Sequence, residues 1–416
     1  MVRDSSLVLK EAEVQLIAAL VTRLIQWHES GIYWDLFYNY FKYSADYQHL
    51  SFVDHNMQIS AGSYGDFLDG MNPILELAGR WNDDIGWWAL ATMTATEAFG
   101  KNAIVAKDNV MDGFNPTYFA LTNNTLYEMF MNWDDQCGGG IYWSRTRDPK
   151  SEDPTLKSTI TNVQAMSLSA RLYAIERNAD YKTKFDQLFQ WLKTTGIIGS
   201  DYTVYDGVKT GSCGNVSTEI YSYHYGPLLS SLASIYTTTK TTTYLTEAHN
   251  LFDALTRQFI DASKVLSIEP SCPCDKSPTG YTFSIYGGLA DLATATTNQT
   301  VRSAISDILK ASAANNFKGC DANWYCMRNM AAGTNFTLKN GSSASGSSSA
   351  SNGGGSSSVN VGAVVGGVVG GVAVLAIAGA IVYKVRGSRA AAAAKLGTGS
   401  GQLQSTEGFM TSPARP

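Results

Sequence analysis

Apolar residues recur three or four positions apart along most of the chain, and few stretches alternate between polar and apolar residues as strands do. This spacing predicts a largely helical body. Helices are expected at residues 7–27, 73–79, 82–99, 116–131, 159–179, 181–195, 219–236, 244–260, 281–295 and 300–313. About eleven or twelve helices in this order favour helical hairpins closed into a ring, although periodicity alone does not separate a ring from an open solenoid.

The pattern changes near residue 338. Residues 339–358 are rich in serine and glycine and predict a flexible stalk. Residues 361–383 form a 23-residue run without a charge, long enough for a helix that crosses a ~30 Å hydrocarbon core. Basic residues follow this run and predict a cytoplasmic tail at 384–416, with the body, residues 1–338, outside the cell or in a lumen. These basic residues are Lys384, Arg386 and Arg389.

Glycines in the predicted membrane helix lie four positions apart, at Gly362, Gly366 and Gly370. Such spacing gives a smooth helix face on which another helix can pack, so self-association is one interpretation. A composition rich in small residues explains the same spacing equally well.

Composition narrows the class of function. Only 16% of the residues are charged and the net charge is −5, whereas a typical protein has ~25% charged residues. This profile argues against a nucleic-acid binder. The five histidines are scattered and no glycine-rich phosphate loop occurs, so neither a metal ion nor another cofactor is expected.

Cysteines and glycosylation sequons favour a body that is extracellular or lumenal. The six cysteines form an even set, in which Cys320 and Cys326 are close enough to pair across a short loop. The sequons begin at Asn123, Asn215, Asn298, Asn335 and Asn340.

Residues 7–27 read as an amphipathic helix rather than a cleavable signal, which conflicts with the export that the sequons favour. We therefore expect that the start of the chain is missing or misassigned; the alternative is that the body is not exported.

Two adjacent carboxylates, Asp83 and Asp84, fall in the first turn of the predicted helix 82–99, with Asn82 as its expected N-cap. Acidic residues at a helix start often serve only to stabilise the helix dipole. Here, however, tryptophans at 81, 87 and 88 flank the pair. Aromatic faces pack against the C–H faces of sugars, and paired carboxylates cleave glycosidic bonds. The stretch therefore predicts a sugar-processing site.

A second acid pair, Asp134 and Asp135, precedes three glycines at 138–140 that rule out a regular helix. Short acidic residues are also common turn formers, so the pair either shapes the loop or contacts substrate.

The ordered series of motifs resembles glycoside hydrolase family 76, the α-1,6-mannanases, and in particular the fungal mannan endo-1,6-α-mannosidase-like cell-wall proteins. The similarity covers about residues 31–295. The matching stretches are Tyr33-Trp34, Asn82-Asp83-Asp84 with Trp87-Trp88, Cys137-Gly138-Gly139-Gly140 with Trp143, Lys157 to Asn162, Val204-Tyr205-Asp206-Gly207, and Tyr221-Ser222-Tyr223. The chain departs from the family pattern at Ile85 and at His224-Tyr225.

The resemblance implies an all-α fold, an (α/α)6 barrel, and a retaining mechanism in which Asp83 is the nucleophile and Asp84 the general acid/base. Together with the aromatic and acidic stretches above, it nominates a set of substrate-binding residues. These are Trp34, Trp81, Trp87, Asp134, Asp135, Tyr142, Trp143, Tyr223 and His224.

The leading hypothesis is a membrane-tethered enzyme that hydrolyses or transfers α-1,6-mannan at the fungal cell surface or wall. The competing hypothesis is a mannan-binding surface protein whose catalytic activity has lapsed, which the departures at Ile85 and Tyr225 favour and the two retained aspartates oppose. A pure membrane scaffold is the third, and it requires that the aromatic site be closed.

Overall fold

The computed structural model describes residues 27–68, 81–105, 116–150, 153–266 and 283–318 of the 416-residue chain. Ten α-helices occupy most of these residues. They are α1 Trp27–Ser44, α2 Leu50–Ser60, α3 Asn82–Phe99, α4 Tyr118–Phe130, α5 Thr159–Glu176, α6 Ala179–Thr194, α7 Tyr225–Thr239, α8 Thr242–Phe259, α9 Phe283–Ala295 and α10 Gln299–Lys318.

Most helices agree with the sequence prediction to within a few residues, and 82–99 agrees at both ends. The predicted start at 219 is wrong. Residues around Glu219 are extended, because the Asp206 N–H donates to the Glu219 carbonyl and Tyr205 bridges to Ile220. A short 3-10 turn, Ser222–His224, then leads into α7. The predicted helix at 73–79 lies outside the described residues, and so does the predicted helix at 7–27 except for its last residue.

Odd-numbered helices form an inner set in which α1, α3, α5, α7 and α9 pack in that order and α9 also contacts α1. Each even-numbered helix from α4 onward packs on the inner helix before it, and α2 packs on α1. This alternation confirms a helical body built from hairpins arranged in a ring. Five pairs lie in the described residues, so the sixth pair of an (α/α)6 barrel stays a prediction.

The inner helices run parallel, as contacts at both ends of α3 show. At the N-terminal end, His28 of α1 lies 3.3 Å from Asp84, and the Gln164 amide of α5 donates to the Asp83 carbonyl. At the C-terminal end, Glu97 accepts hydrogen bonds from Lys42 of α1 and Arg171 of α5. Parallel packing therefore gathers the N-termini, with their exposed N–H groups and positive dipole ends, at one end of the ring.

A buried ion network closes the opposite end of α3. Arg171 is 6% exposed and donates to Glu97 at 2.7 and 3.0 Å and to the Thr94 hydroxyl at 2.9 Å. Burial alone would raise the pKa of Glu97, but the charges of Arg171 and Lys42 lower it to about 2. Glu97 is therefore ionised throughout the neutral range, and the network holds three inner helices together.

Close helix packing at one contact requires glycine. A Cβ added at Gly226 of α7 would lie 2.5 Å from the Ser284 carbonyl, and one at Gly288 of α9 would lie 2.2 Å from the Gly226 carbonyl. Because no side chain fits, α7 and α9 meet backbone to backbone at this point.

Two three-residue strands, β1 Leu156–Ser158 and β2 Gly207–Lys209, pair antiparallel, with Lys157 opposite Val208. A disulfide joins Cys137 to Cys213 in the neighbouring loops. The predicted pairing of Cys320 with Cys326 lies outside the described residues, as do the stalk, the membrane helix and the tail. Within the described ranges, no helix is both long and apolar enough to span a bilayer.

Candidate active site

The carboxylate pair lies at the N-terminal end of α3, where the inner helix starts converge. Asp84 is 6% exposed and Asp83 is half-buried. The fold thus removes both acids from bulk water while keeping them on adjacent residues.

Asp83 is surrounded mainly by hydrogen-bond donors. Burial raises its pKa to about 7, while hydrogen bonds from its own backbone N–H and from the Trp143 side chain oppose the rise. Its Oδ1 atom has no hydrogen-bond partner among the described residues. A buried carboxylate oxygen without a partner is costly in an ordinary fold, so its presence here favours a functional role for Asp83.

Asp84 is in a different environment. Burial raises its pKa well above the usual range, and the neighbouring charge of Asp83 raises it further. The Nδ1 atom of His28 lies 3.3 Å from Asp84 Oδ1. Because two close carboxylates resist being ionised together, the pair holds a proton more readily than a single exposed carboxylate does.

A third carboxylate, Asp206, acts on the pair, and the sequence analysis did not select it. Its charge contributes to the raised pKa of Asp83. His224 is fully buried and its Nε2 lies 3.4 Å from Asp206 Oδ1. The Asp206 carbonyl accepts from the Thr159 N–H at the start of α5, which fixes the loop against the inner ring.

Gln164 and His28 are two further neighbours that sequence reasoning missed. A Cβ added at Gly86 would lie 2.1 Å from Gln164 Oε1, so glycine at this position lets α5 approach the turn that carries the acid pair. The sequence around Gln164 or His28 does not mark either residue as a neighbour of the acid pair, because each lies on a different inner helix. Only the family resemblance at residues 157–162 and 204–207 falls near this site.

Asn82 is not the N-cap that the sequence predicted. The cap position is Trp81, without a side-chain cap bond, and Asn82 is the first residue of α3. Its amide donates to the Tyr142 carbonyl at 2.8 Å, and its oxygen accepts from Arg145 at 2.9 Å. Its backbone N–H donates to the Trp143 carbonyl. Asn82 therefore fastens the loop after α4 to the start of α3, and these tertiary bonds replace capping.

Three of the predicted aromatic residues lie near the site with partly exposed rings. Trp81 stacks on Trp143, with ring centroids 5.3 Å apart, and Tyr223 stacks on Tyr221 at 5.4 Å. Trp143 also bonds to Asp83, so this stack borders the carboxylates. It is the aromatic surface best placed to meet a sugar ring.

The other predicted aromatic contacts are corrected by the structure. Trp34 and Trp87 are 1% and 2% exposed and belong to the core, so neither ring offers a face to substrate. Tyr142 is 4% exposed, with the Arg147 guanidinium 3.4 Å and the Lys157 ammonium 4.8 Å from its ring centroid. Two cations against a buried ring leave little of it for a sugar.

The second acid pair divides into two roles. Asp134 accepts from Lys157 at 2.5 Å and from the Tyr142 hydroxyl at 2.8 Å, so both of its carboxylate oxygens are occupied and it shapes the loop. Asp135 is exposed on the same loop and stays a candidate for substrate contact. Turn formation, the alternative weighed from the sequence, explains Asp134.

Chemically, the site offers two adjacent carboxylates whose pKa values are both raised, with different neighbours around each, and aromatic rings beside them. In the described part of the chain, no cluster of three histidine, cysteine or acidic residues is arranged to hold a metal ion. The fold and site define a class of helical-barrel proteins with a paired-carboxylate site at the N-terminal ends of the inner helices.

The family follows from comparison with known proteins. The profile of glycosyl hydrolase family 76 matches residues 10–352, and the chain belongs to this family. Two solved structures share the fold. Dfg5 from Chaetomium thermophilum, in complex with glucosamine, has a TM-score of 0.68 and 17% identity, and the match covers 92% of each chain. The GH76A α-1,6-mannanase from Salegentibacter sp. has a TM-score of 0.61 and 14% identity, and the match covers 85% of this chain and 89% of that one.

Curated fungal relatives are similar in sequence as well. The mannan endo-1,6-α-mannosidase DCW1 of Saccharomyces cerevisiae is 26% identical over 319 residues, which cover 72% of this chain and 66% of that protein. The mannan endo-1,6-α-mannosidase DFG5 of Candida albicans is 26% identical over 251 residues, or 58% and 52%. The chain thus spans between about half and two thirds of the length of these relatives.

Proposed function

We propose that this chain is a retaining endo-α-1,6-mannosidase or transglycosidase that acts on α-1,6-mannan in fungal cell-wall biogenesis or glycan catabolism. The observation that carries the proposal is the pair Asp83 and Asp84 on adjacent residues in different environments. A retaining glycosidase needs one ionised and one protonated carboxylate close to the same glycosidic bond.

In the proposed reaction, Asp84 donates its proton to the leaving glycosidic oxygen while the Asp83 carboxylate attacks the anomeric carbon. The glycosidic C–O bond breaks and a covalent glycosyl ester forms on Asp83. Asp84 then takes a proton from the acceptor, whose oxygen displaces Asp83. Water as the acceptor gives hydrolysis, and a sugar hydroxyl gives transfer.

The comparisons support the choice of carboxylates and substrate. One solved neighbour is an inactive Salegentibacter GH76A α-1,6-mannanase in which two consecutive aspartates are replaced by asparagine, in complex with α-1,6-mannotriose. By analogy with that protein, an α-1,6-linked mannose chain is the ligand proposed here.

The proposal includes an (α/α)6 body outside the cell or in a lumen, anchored by the helix at 361–383 with its tail in the cytosol. The Cys137–Cys213 disulfide supports an oxidising compartment for the body. The four segments proposed from the sequence, with boundaries at 338, 358 and 383, remain part of this proposal.

The departures from the family pattern do not favour lapsed activity. Ile85 is fully buried in the core. The Tyr225 hydroxyl lies within hydrogen-bond distance of two acceptors, the Tyr202 carbonyl and the Gln258 Oε1, and accepts from the Val204 N–H, so it fastens a loop. Both residues have structural roles that leave the acid pair in place.

The decisive experiment incubates the purified protein with an α-1,6-mannan oligosaccharide and separates the products by length. Shorter products indicate hydrolysis and longer ones transfer. Asp83→Asn should abolish both. Asp84→Asn should lower turnover by about 10²–10⁴-fold on mannan, less on a substrate with an activated leaving group, and regain part of its activity with azide, which needs no general base.

Asp186→Asn is the matched control, because Asp186 is an exposed carboxylate paired with Lys182 on the outer helix α6. It should leave turnover unchanged. Binding of mannan without any product in the unsubstituted protein would favour the lapsed, mannan-binding alternative. Full activity in Asp83→Asn would show that the nucleophile is another residue.

A further inference from the structure

A groove on the outside of the barrel is separate from the carboxylate site. It has a volume of about 740 Å³ and lies between the loop after α2, the middle of α4 and the start of α6. Tyr64 and Tyr127 line it and are 77% and 62% exposed. The Asn124 amide donates to the Tyr64 carbonyl at 2.9 Å, which holds the loop against α4. Exposed tyrosines among amides and acids form a surface suited to a sugar.

Asn123, which begins a glycosylation sequon, also lines this groove. Its side-chain oxygen accepts a hydrogen bond from the Tyr181 hydroxyl at 2.7 Å, which fixes the amide. Its amide nitrogen donates none of the hydrogen bonds recorded among the described residues. Tyr127 lies four positions later on α4, hence on the same helix face and one turn away.

The other two described sequons lack such surroundings. Asn215 is exposed in the loop after a 3-10 turn. Asn298 is exposed, and its side-chain oxygen accepts from the Thr300 N–H at 2.9 Å just before α10. Neither residue lines the groove. Asn123 is thus the described sequon asparagine that shares a groove with exposed tyrosines.

We propose that Asn123 carries an N-linked glycan whose first N-acetylglucosamine packs on Tyr127 and Tyr64 in this groove. In the modifying step, the Asn123 amide nitrogen attacks the anomeric carbon of a lipid-pyrophosphate-linked oligosaccharide. A C–N bond forms, the bond from carbon to the pyrophosphate oxygen breaks, the lipid pyrophosphate leaves, and one amide proton is lost to the transferase. The glycan then covers apolar rings that are otherwise exposed.

The structure also sets the order of events. Thr125, the third sequon residue, is fully buried and its hydroxyl donates to the Leu121 carbonyl at 2.8 Å. A transferase that must reach this hydroxyl cannot do so in the folded protein. Modification therefore precedes folding of α4, and the sugar enters the groove as the helix forms.

The inference rests on the proposed lumenal placement of the body but not on its catalysis. The test expresses the full chain in yeast behind a cleavable signal and measures the occupancy of Asn123, Asn215 and Asn298 by peptide mass. The native protein is then treated with a peptide N-glycosidase, which cuts the amide bond and leaves aspartate, so each site reports its own rate. Release at Asn123 should be about tenfold slower than at Asn215.

Variants separate packing of the sugar from simple burial of Asn123. Tyr127→Ala should accelerate release at Asn123 severalfold and leave Asn215 unchanged. Tyr47→Ala, an equally drastic change at a tyrosine that is 50% exposed and lies outside the groove, should alter neither rate. An Asn123 rate that Tyr127→Ala does not change overturns the proposal.

Occupancy distinguishes the remaining outcomes. A bare Asn123 beside an occupied Asn215 refutes the glycan at this site while leaving export intact. Bare asparagines at all three sites overturn this proposal as well; because the added signal directs the chain into the lumen, this outcome has no bearing on the proposed native placement. Mannan-processing activity, present or absent, has no bearing on these readings.

Discussion

The replacement Lys157→Met tests how the loop beside the site is held. Lys157 is fully buried, yet four acceptors surround its three ammonium N–H groups, namely three backbone carbonyls and one carboxylate. The carbonyls belong to Asp134, Gln136 and Gly139, at 3.0, 2.7 and 2.7 Å. All of these acceptors lie in one short segment, so a single side chain sets the path of the loop. Methionine has nearly the same length and no donor.

The expected loss in the free energy of unfolding follows from the acceptors that lose their donor in Lys157→Met. Removing one partner of a buried ion pair costs about 3–5 kcal/mol. The carboxylate of Asp134 is 35% exposed, so water recovers part of this loss and the lower end of the range applies. A loss of about 3 kcal/mol, at about 2 °C per kcal/mol for a large domain, corresponds to a Tm lower by about 6 °C. Trp143, which follows the same loop and bonds to Asp83, should shift, so kcat/KM on mannan should fall as well.

The assay combines thermal unfolding with mannan turnover. Lys209→Met is the control, because Lys209 pairs with Asp153 on the surface, where the two side chains are 56% and 40% exposed. Such pairs contribute less than about 1 kcal/mol. The reasoning is refuted if the two variants lower the free energy of unfolding by the same amount, within about 0.5 kcal/mol. Lys157→Arg should recover part of the stability, since it restores the charge in a less fitting shape.

Two further predictions use the charges at the two ends of α3. His28→Phe replaces a polar neighbour 3.3 Å from Asp84 with an apolar ring, so the desolvation that already raises the pKa of Asp84 should increase and the alkaline limb of the pH–kcat/KM profile should move to higher pH; an unchanged or lower limb contradicts the role of His28. Arg171→Met should destabilise the fold by about 3–5 kcal/mol at neutral pH, measured by denaturant unfolding. Because the pKa of Glu97 is lowered to about 2 in the folded state, the stability it contributes is present above its ordinary pKa of ~4.3 and is lost as pH falls toward 2. The gap between Arg171→Met and the unsubstituted protein should therefore narrow over that interval, and a constant gap would refute the assignment.

Sequence reasoning located the helices well where a long apolar period is uninterrupted, as in α3. It failed at Glu219, where the backbone pairs with Tyr205 and Asp206 from an earlier loop. Local propensity does not report on such pairing, because the partner is distant in sequence.

The burial of the aromatic residues also depends on partners distant in sequence. A run such as Tyr33-Trp34 predicts a helix with apolar faces but does not indicate which face a second helix covers. Trp34 and Trp87 proved to be core residues, while Trp81 and Trp143 stack beside Asp83. Their spacing in the sequence gives no hint of this difference.

By itself the sequence determined the helical hairpins and the position of Asp83 and Asp84 on one helix turn, because both depend on residues close together in the chain. Only the tertiary structure decided that His28, Gln164 and Asp206 surround the pair and that Asn82 holds a loop instead of capping a helix. Those neighbours come from separate inner helices and loops. Their distances, and the loss of water that raises the pKa of both aspartates, exist only when the ring of helices is assembled.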